Sequence, residues 1–345
     1  MIASAEPAGG GSDSDRQMLA RSAFDQDAAA AAAVSHARLL RTVGRLPHRQ
    51  FHGLVRAAAW AETWLRWPLR TLRMLDSVDE TLARVDPDGA QFGLTQEVRS
   101  RFRRNLLYDG MADIAVLISR VDDPKFRRQA VTVEGREGLE REIAAGPGAI
   151  VLGFRLGAYS AIPMVLGALG YKVAMIVGAE HVARSGQDLG EQFAPAANSR
   201  IKYFNAQDSR VLAQSLEALN EGRVVSTLME LSPIKYAKTT PVEFLGWTVN
   251  VAYGIPYLSA MTQRPVIPAL LLSEKGPRFR LQFLEPVPAP SRDRASIFAA
   301  TQALYGVLEE QVRRYPAQWV GWTILESHLG IDLGRPAPFQ VPAIL

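Results

Sequence analysis

The chain has 345 residues, of which 48% are hydrophobic and 21% are charged, so it can build one large domain or two modest ones. It contains no cysteine, which excludes disulfides, thiolate nucleophiles and cysteine-ligated metals. The formal charge of +4 is a mild basic excess, which favours anionic partners without selecting one. No apolar run of roughly 18 residues or more occurs, so no transmembrane helix is expected.

The first part of the chain predicts a tail followed by helices. Residues 1–30 are small and polar, then alanine-rich, and they lack the basic and apolar regions of a signal peptide. We therefore expect a disordered tail, a helix that begins near Ala28, and a cytoplasmic protein. Residues 31–145 predict a mostly helical region, because apolar residues recur at helical spacing in TQEVRSRFRRNLLYDGMADIAVLISRV, which begins at Thr95.

From about residue 146, short apolar runs alternate with helical segments. The runs GAIVLGF, KVAMIVG, RVVSTLME and RPVIPALLL are typical of buried strands, and helical segments lie between them. FRLQFLEPV is a candidate edge strand, and a closing helix is expected to end at Pro316. This alternation predicts an α/β fold over residues 146–335, with a mostly parallel central sheet flanked by helices, and a tail at residues 336–345.

Three loops of this predicted sheet are candidate binding sites. In open α/β sheets ligands bind at the carboxyl ends of the strands, which here are followed by residues 153–160, 178–184 and 229–235. The first of these loops, GFRLGAYS, has Arg155 as its only side chain with obvious chemistry.

Four stretches carry a resemblance to a known family. They are VEGREGLEREIAAGPGAIVLGFRLGAYSA, SLEALNEGRVVSTLMELSP, VEFLGWTVNVAYGIPYLSAMTQRPVIPALL and, most specific, VLEEQVRRYPAQWVGW. Between about Asn105 and Trp322 the chain thereby resembles the bacterial lipid A biosynthesis acyltransferases of the lysophospholipid acyltransferase-like superfamily. The resemblance implies that fold and acyl-transfer chemistry.

The chain departs from this family at the reactive dyad. Where the resemblance implies His-x-x-x-x-Asp/Glu, the chain has Arg155 and Ser160, whereas the scaffolding residue Gly157 is present. In the family, the histidine takes the proton of the acceptor hydroxyl and the acid supports its positive charge. Arginine keeps its proton and serine has no carboxylate, so neither half of the dyad is available.

Arg155 then has three interpretations. It is a solvated or ion-paired surface arginine, an anchor for a phosphate or carboxylate, or a clamp on a carbonyl oxygen that develops negative charge. We include Gly157 and Ser160 with it in the predicted substrate-binding loop.

Glu230 and His181 are the candidate proton acceptors. Glu230 closes the strand VVSTLME, where burial is expected to raise its pKa so that it acts as a base, or else it only pairs with Arg155 or Lys235. His181 follows the next strand and either replaces the missing base or is an inert loop residue. Arg184 loosely matches a phosphate-binding position of relatives and, with Lys235, completes the predicted substrate-binding set.

Other chemistries have no sequence support. The Gly-x-Ser-x-Gly pattern is absent, so Ser160 is discounted as a nucleophile. No pair of side chains has metal-ligand spacing, and neither Gly-x-Gly-x-x-Gly nor a Walker A sequence follows a strand, so no metal or nucleotide cofactor is expected.

Tryptophans mark a helix in the N-terminal region. Trp60, Trp64 and Trp67 fall on one helical face, and arginines at positions 66, 70 and 73 add positive charge. Such a helix suits the interface of a membrane or covers an acyl channel, or else it packs on the core with the arginines at its rim. The first alternative predicts peripheral contact with the inner face of the membrane.

Two functional hypotheses follow. The first is a divergent transferase of specialised metabolism that moves an acyl or aminoacyl group from a carrier, CoA or tRNA to an amine-type or hydroxyl acceptor, a small molecule or a lipid. An amine needs a base less than a hydroxyl does, so Arg155 with Glu230 or His181 would suffice. The alternative is a non-catalytic relative that binds a lipid or an acyl carrier, or supports a partner enzyme.

Overall fold

The computed structural model describes residues 46–66, 68–178, 194–230, 238–323 and 325. Their strands, in chain order, are β1 (Val131–Glu134), β2 (Ala149–Gly157), β3 (Val173–Val177), β4 (Ile201–Asn205), β5 (Val224–Leu228), β6 (Thr239–Phe244), β7 (Trp247–Ala252), β8 (Val266–Ser273) and β9 (Phe279–Phe283). Seven of them form one sheet in the order β1-β9-β8-β2-β5-β3-β4. Every neighbouring pair in this sheet is parallel except β8 and β9, which confirms the predicted α/β fold with a mostly parallel sheet.

The central strands are those that the sequence predicts. β2, β3, β5 and β8 are almost completely buried, because both faces of the sheet are covered and side chains of either orientation must therefore be apolar. The placement of β9 at an edge is wrong, because β1 pairs with its outer side. β1 itself comes from the region predicted to be mostly helical, and β4 and the antiparallel hairpin β6–β7 are additional strands.

Helices cover the sheet. They are α1 (His48–Ala61), α2 (Pro68–Val85), α3 (Gln96–Arg104), α4 (Gly110–Arg120), α5 (Pro124–Ala130), α6 (Arg136–Ala145), α7 (Ile162–Ala168), α8 (Pro195–Asn198), α9 (Val211–Asn220), α10 (Gly254–Thr262) and α11 (Arg294–Arg314). Two π-helical segments, Glu62–Arg66 and Asn105–Asp109, join α1 to α2 and α3 to α4. Short 3-10 turns lie at Tyr159–Ala161, Pro316–Gln318 and Val320–Thr323.

Helix ends follow the sequence signals closely. The Thr95 hydroxyl accepts a hydrogen bond from the amide of Val98 and so caps α3, the start predicted from the sequence. The expected single helix over residues 95–121 is instead interrupted by the second π-helical segment. At the other end of the chain, α11 ends two residues before Pro316. The predicted helix near Ala28 lies outside the described residues.

The N-terminal helices bury one face and expose another. Along α2 the side chains of Met74, Val78 and Leu82 are buried at a spacing of four residues, and Val78 and Leu82 belong to the hydrophobic cluster of the sheet. The opposite face exposes Leu69, whose side chain is 71% accessible to solvent. In the part of the chain that the structure describes, no helix combines the length and the apolar character needed to cross a membrane.

The carboxyl end of β2 departs from regular pairing. Between Gly153 and Gly157 this strand advances four residues, while its partner β8 advances only two, from Ala269 to Leu271. The extra residues form a bulge centred on Arg155, and bulges of this kind re-aim side chains next to functional sites. Gly157 closes the bulge with a φ of 61°, and a Cβ atom there would clash with the Leu271 carbonyl oxygen.

We predict that Gly157→Ala lowers the free energy of unfolding by about 2–4 kcal/mol, because the left-handed backbone and the close contact penalise any side chain. Gly222→Ala is the matched control, since Gly222 has a φ of 75° but nothing within 4 Å of its would-be Cβ, and it should cost only about 1 kcal/mol. Urea unfolding of both variants tests this, and equal losses would show that the contact with β8 is not the constraint.

Candidate functional site

Glu230 follows β5, and its carboxylate lies at the bulged end of β2. The backbone pairing of the two strands ends where the Met229 amide donates to the Gly153 carbonyl oxygen at 3.0 Å. Beyond this point the Arg155 amide donates to the Glu230 side chain, at 3.1 Å from Oε1 and 3.2 Å from Oε2. The indole Nε1 of Trp319 donates to the same Oε1 at 2.9 Å. We call this arrangement of Glu230, the Arg155 amide and the Trp319 indole the Glu230 clamp.

The clamp is completely removed from water. Glu230 has no solvent-accessible surface, and this desolvation raises the pKa of its carboxyl, the direction expected from the sequence. The positive charge of Arg155 and the hydrogen bonds from Trp319 and the Arg155 amide act in the opposite direction without cancelling the effect of burial. The site therefore holds a carboxyl group for which ionisation is costly.

Aromatic rings surround the clamp on one side. Trp319 contacts Phe244 and Trp322 edge-on, with ring centroids 5.7 and 4.7 Å apart, and Phe244 contacts Tyr305 at 5.3 Å. The Tyr305 hydroxyl is buried and has no hydrogen-bond partner among the described residues. Burial and the negative charge of Glu230 raise the pKa of Tyr305 well above its ordinary value, so this hydroxyl stays neutral. This apolar wall explains the desolvation of the carboxylate.

The Arg155 guanidinium is only partly satisfied by hydrogen bonds. Its Nε is buried and has no hydrogen-bond partner in the described part of the chain. The Cζ atom lies 6.0 Å from the centre of the Tyr159 ring, and the residue as a whole is partly exposed. A buried and unpaired N–H of a guanidinium favours an incoming carbonyl, carboxylate or phosphate oxygen.

Gly157 ends β2, and Ser160 lies in the turn that follows. The Ser160 hydroxyl is buried and, like the Arg155 Nε, has no partner among the described residues. Gly157 brings the chain against β8, where the Ala158 amide donates to the Leu271 carbonyl oxygen at 2.8 Å. Two unsatisfied polar groups, Arg155 Nε and Ser160 Oγ, therefore lie five residues apart, the first in the bulge of β2 and the second in the turn that follows this strand.

The structure brings some predicted site residues together and leaves others undescribed. Arg155 and Glu230, which are 75 positions apart in the sequence, are in direct contact through the backbone amide of Arg155. Among the described residues, no ion pair joins their side chains within 4 Å. His181, Arg184 and Lys235 lie outside the described residues, so their predicted roles remain predictions.

The C-terminal turn contains site residues that the sequence analysis did not single out. Trp319 contributes the indole of the clamp and also forms an antiparallel bridge with Leu156, inside the bulge. The neighbouring Gln318 side chain accepts from the Ser273 amide at 3.0 Å and donates to the Ser273 carbonyl oxygen at 3.1 Å. Both residues belong to the stretch YPAQW, which carries the family resemblance but has no pattern that assigns a role to either side chain.

Comparison with known proteins assigns the chain to a family. The sequence profile of a family described as "Bacterial lipid A biosynthesis acyltransferase" matches residues 110–323, a range that includes β2, Glu230 and Trp319. No curated protein matches the chain. Because the matched range covers well over half of the sequence, the chain belongs to the bacterial lipid A biosynthesis acyltransferase family.

Proposed function

We propose that the protein transfers an acyl or aminoacyl group from a carrier to an amine-type acceptor, without the histidine and acid that the family resemblance implies. The observation that carries this proposal is the Arg155 guanidinium. It lies at the carboxyl end of the central strand, on a backbone held by the Glu230 clamp, and its Nε has no partner among the described residues. The carboxyl ends of neighbouring parallel strands are where ligands of α/β sheets bind.

The chemistry needs few groups if the acceptor is an amine. The lone pair of the neutral nitrogen attacks the carbonyl carbon of the donor, and negative charge develops on the carbonyl oxygen. The C–S bond of a thioester, or the C–O bond of an aminoacyl ester, then breaks, and the proton of the nitrogen passes to the leaving thiolate or alkoxide. Arg155 stabilises the developing oxyanion, and the remaining acceleration comes from holding donor and acceptor together.

A hydroxyl acceptor places a heavier demand on the site. A hydroxyl is not ionised near neutral pH, so its transfer requires a group that takes the proton during attack. Glu230 is the only candidate base from the sequence analysis that the structure describes. Its fully buried carboxylate already accepts bonds from Arg155 and Trp319. These contacts favour Glu230 as a positioning residue, and they therefore favour an amine over a hydroxyl.

Membrane contact through the N-terminal helices belongs to the same proposal. The exposed large apolar side chains among the described residues are Leu54, Trp60, Leu65, Leu69 and Leu72, all of which lie on α1, α2 and the π-helical segment between them. Leucines thus contribute more of this surface than the predicted tryptophans do, since Trp64 is partly buried and Trp67 is outside the described residues. An apolar helix surface with arginines beside it suits the interface of an anionic membrane.

The first prediction concerns Arg155. With a panel of acyl-carrier, acyl-CoA and aminoacyl-tRNA donors and of amine and hydroxyl acceptors, mass spectrometry should detect a product that Arg155→Met reduces about 100-fold or more, because the oxyanion loses its donor. Lys172→Met is the control, since this exposed lysine lies just before β3, at the amino ends of the central strands and so at the opposite end from Arg155. Donor binding without product in every protein would instead support the alternative, a non-catalytic relative that binds the carrier.

The second prediction concerns Glu230. Glu230→Gln keeps an oxygen at the position of Oε1, which accepts from Trp319 and the Arg155 amide, and it replaces Oε2, the second acceptor of that amide, by an uncharged NH2 group. Because the folded state raises the pKa of the carboxyl above its ordinary 4.5, the wild type loses stability as the pH rises from there through the folded pKa. The melting temperature of Glu230→Gln minus that of the wild type should therefore increase over this range and stay constant above it.

The same variant separates the two roles of Glu230. If Glu230 is a positioning residue, Glu230→Gln keeps most of the activity, whereas Glu230→Leu, which cannot accept a hydrogen bond, loses it. If Glu230 is instead the catalytic base, both variants lose activity equally. A melting-temperature difference that shrinks as the pH rises would contradict the raised pKa itself.

The third prediction concerns the leucine surface. Leu65→Asp together with Leu69→Asp should abolish sedimentation with anionic vesicles, because both side chains are mostly exposed and would carry charge into the membrane interface. Gln207→Asp adds a negative charge at an exposed position after β4 and serves as the control. Equal sedimentation of the leucine variant and the wild type would remove membrane contact from the proposal.

A further inference from the structure

A basic cleft lies apart from the Glu230 clamp, between the start of α1, the end of α5 and the turn that joins β8 to β9. Its volume is about 700 Å³, within the range of small-molecule sites. The polar residues that line it are His48, Arg49, His52, Gln129, Lys275 and Arg278. No acidic residue lines it, so the described lining carries only positive or neutral groups.

The walls of the cleft are fixed by contacts behind them. The His52 Nε2 lies 2.9 Å from Oδ1 of the buried Asp113, and the His48 ring packs edge-on against Phe126 with centroids 5.8 Å apart. The Arg278 Nε donates to the Lys275 carbonyl oxygen at 3.2 Å, which holds the turn. The positively charged side chains of the cleft therefore extend from a surface whose shape is fixed by these contacts.

The positive charge of Arg49, Lys275 and Arg278 is not neutralised by the described carboxylates. Glu274, in the β8–β9 turn, and Glu134, at the end of β1, both pair with Arg280, at 3.1 and 3.3 Å. Asp113 is occupied by His52. Within the described ranges, no carboxylate forms an ion pair with Arg49, Lys275 or Arg278, and all three residues are exposed.

The cleft lies at the same end of the central strands as Arg155. β8 runs parallel to β2, and its Leu271 is the register partner of Gly157. Gln318 holds Ser273 at the end of β8, and Lys275 follows two residues later. A ligand in the cleft would thus be bound at the end of the sheet where β2 and β8 terminate and where β9 and β1 begin.

We propose that this cleft binds a phosphate group, carried either by a soluble small molecule or by the headgroup of a phospholipid. A guanidinium and an ammonium on a fixed turn, faced by another arginine and two imidazoles, match the charge and the several acceptor oxygens of a phosphate. Nothing in this binding requires turnover, so its test is independent of the proposed transferase reaction.

Calorimetric titration of the full chain with pyrophosphate at fixed ionic strength tests the proposal. The double variant Lys275→Ala/Arg278→Ala should bind pyrophosphate about tenfold or more weakly than the wild type, because it loses two charged donors. The control is Arg141→Ala/Lys172→Ala, which removes the same charge from exposed positions outside the cleft and should bind as the wild type does. Sedimentation with phosphatidylglycerol and phosphatidylcholine vesicles forms the second arm.

The two arms identify the source of the phosphate. Tight pyrophosphate binding that only the cleft variant loses supports a soluble ligand. Preference for phosphatidylglycerol that only the cleft variant loses, with no pyrophosphate binding, supports a lipid headgroup. Failure of the wild type in both arms, or equal losses in the cleft and control variants, would overturn the proposal, since the cleft would then add nothing to general surface charge.

Discussion

The hydrogen bond from the Arg155 amide to the buried Glu230 carboxylate is the contact on which the geometry of the site depends. β2 continues past its last backbone hydrogen bond with β5. On its other side, the register between β2 and β8 shifts by two residues. A buried amide in such a segment needs an acceptor, and an unmet bond there would cost free energy on the order of 1–3 kcal/mol. Glu230 provides that acceptor, and Trp319 fixes the orientation of Glu230.

Stability and positioning oppose each other at this point. A carboxylate without solvent contact is unfavourable when charged, and its aromatic surroundings make it more so. In return the bulge acquires one defined conformation, and the Arg155 guanidinium emerges from a rigid sheet. The proposed role of Arg155, donation to a developing oxyanion, needs such a fixed position, because a misplaced donor contributes little to the transition state.

The sequence predicts the centre of this fold better than its margins. β2, β3, β5 and β8 are continuous apolar runs, which is the local signature of strands buried on both faces. β1 and β4 are short and partly polar, so no local pattern distinguishes them from loops. The internal position of β9 depends on its pairing with β1, almost 150 residues earlier, which local patterns do not encode.

The same limit applies to the site. Arg155 and Glu230 were expected at the same end of the sheet, because each lies where a predicted buried strand ends. The contribution of Trp319 was not expected, because it reaches Glu230 across 89 positions, from a turn without a predictable direction. The apolar helix surface was found through tryptophans, yet leucines dominate it, because a π-helical segment interrupts the α-helical period on which the prediction relied.

The Glu230 clamp also has a consequence for how this scaffold can change. Glu230 contacts the main chain of residue 155, and a main-chain amide is the same for every residue type except proline. The clamp therefore holds the end of β2 in place whichever side chain position 155 carries. A single substitution at position 155 can therefore exchange one reactive side chain for another, while the backbone that orients this side chain stays unchanged.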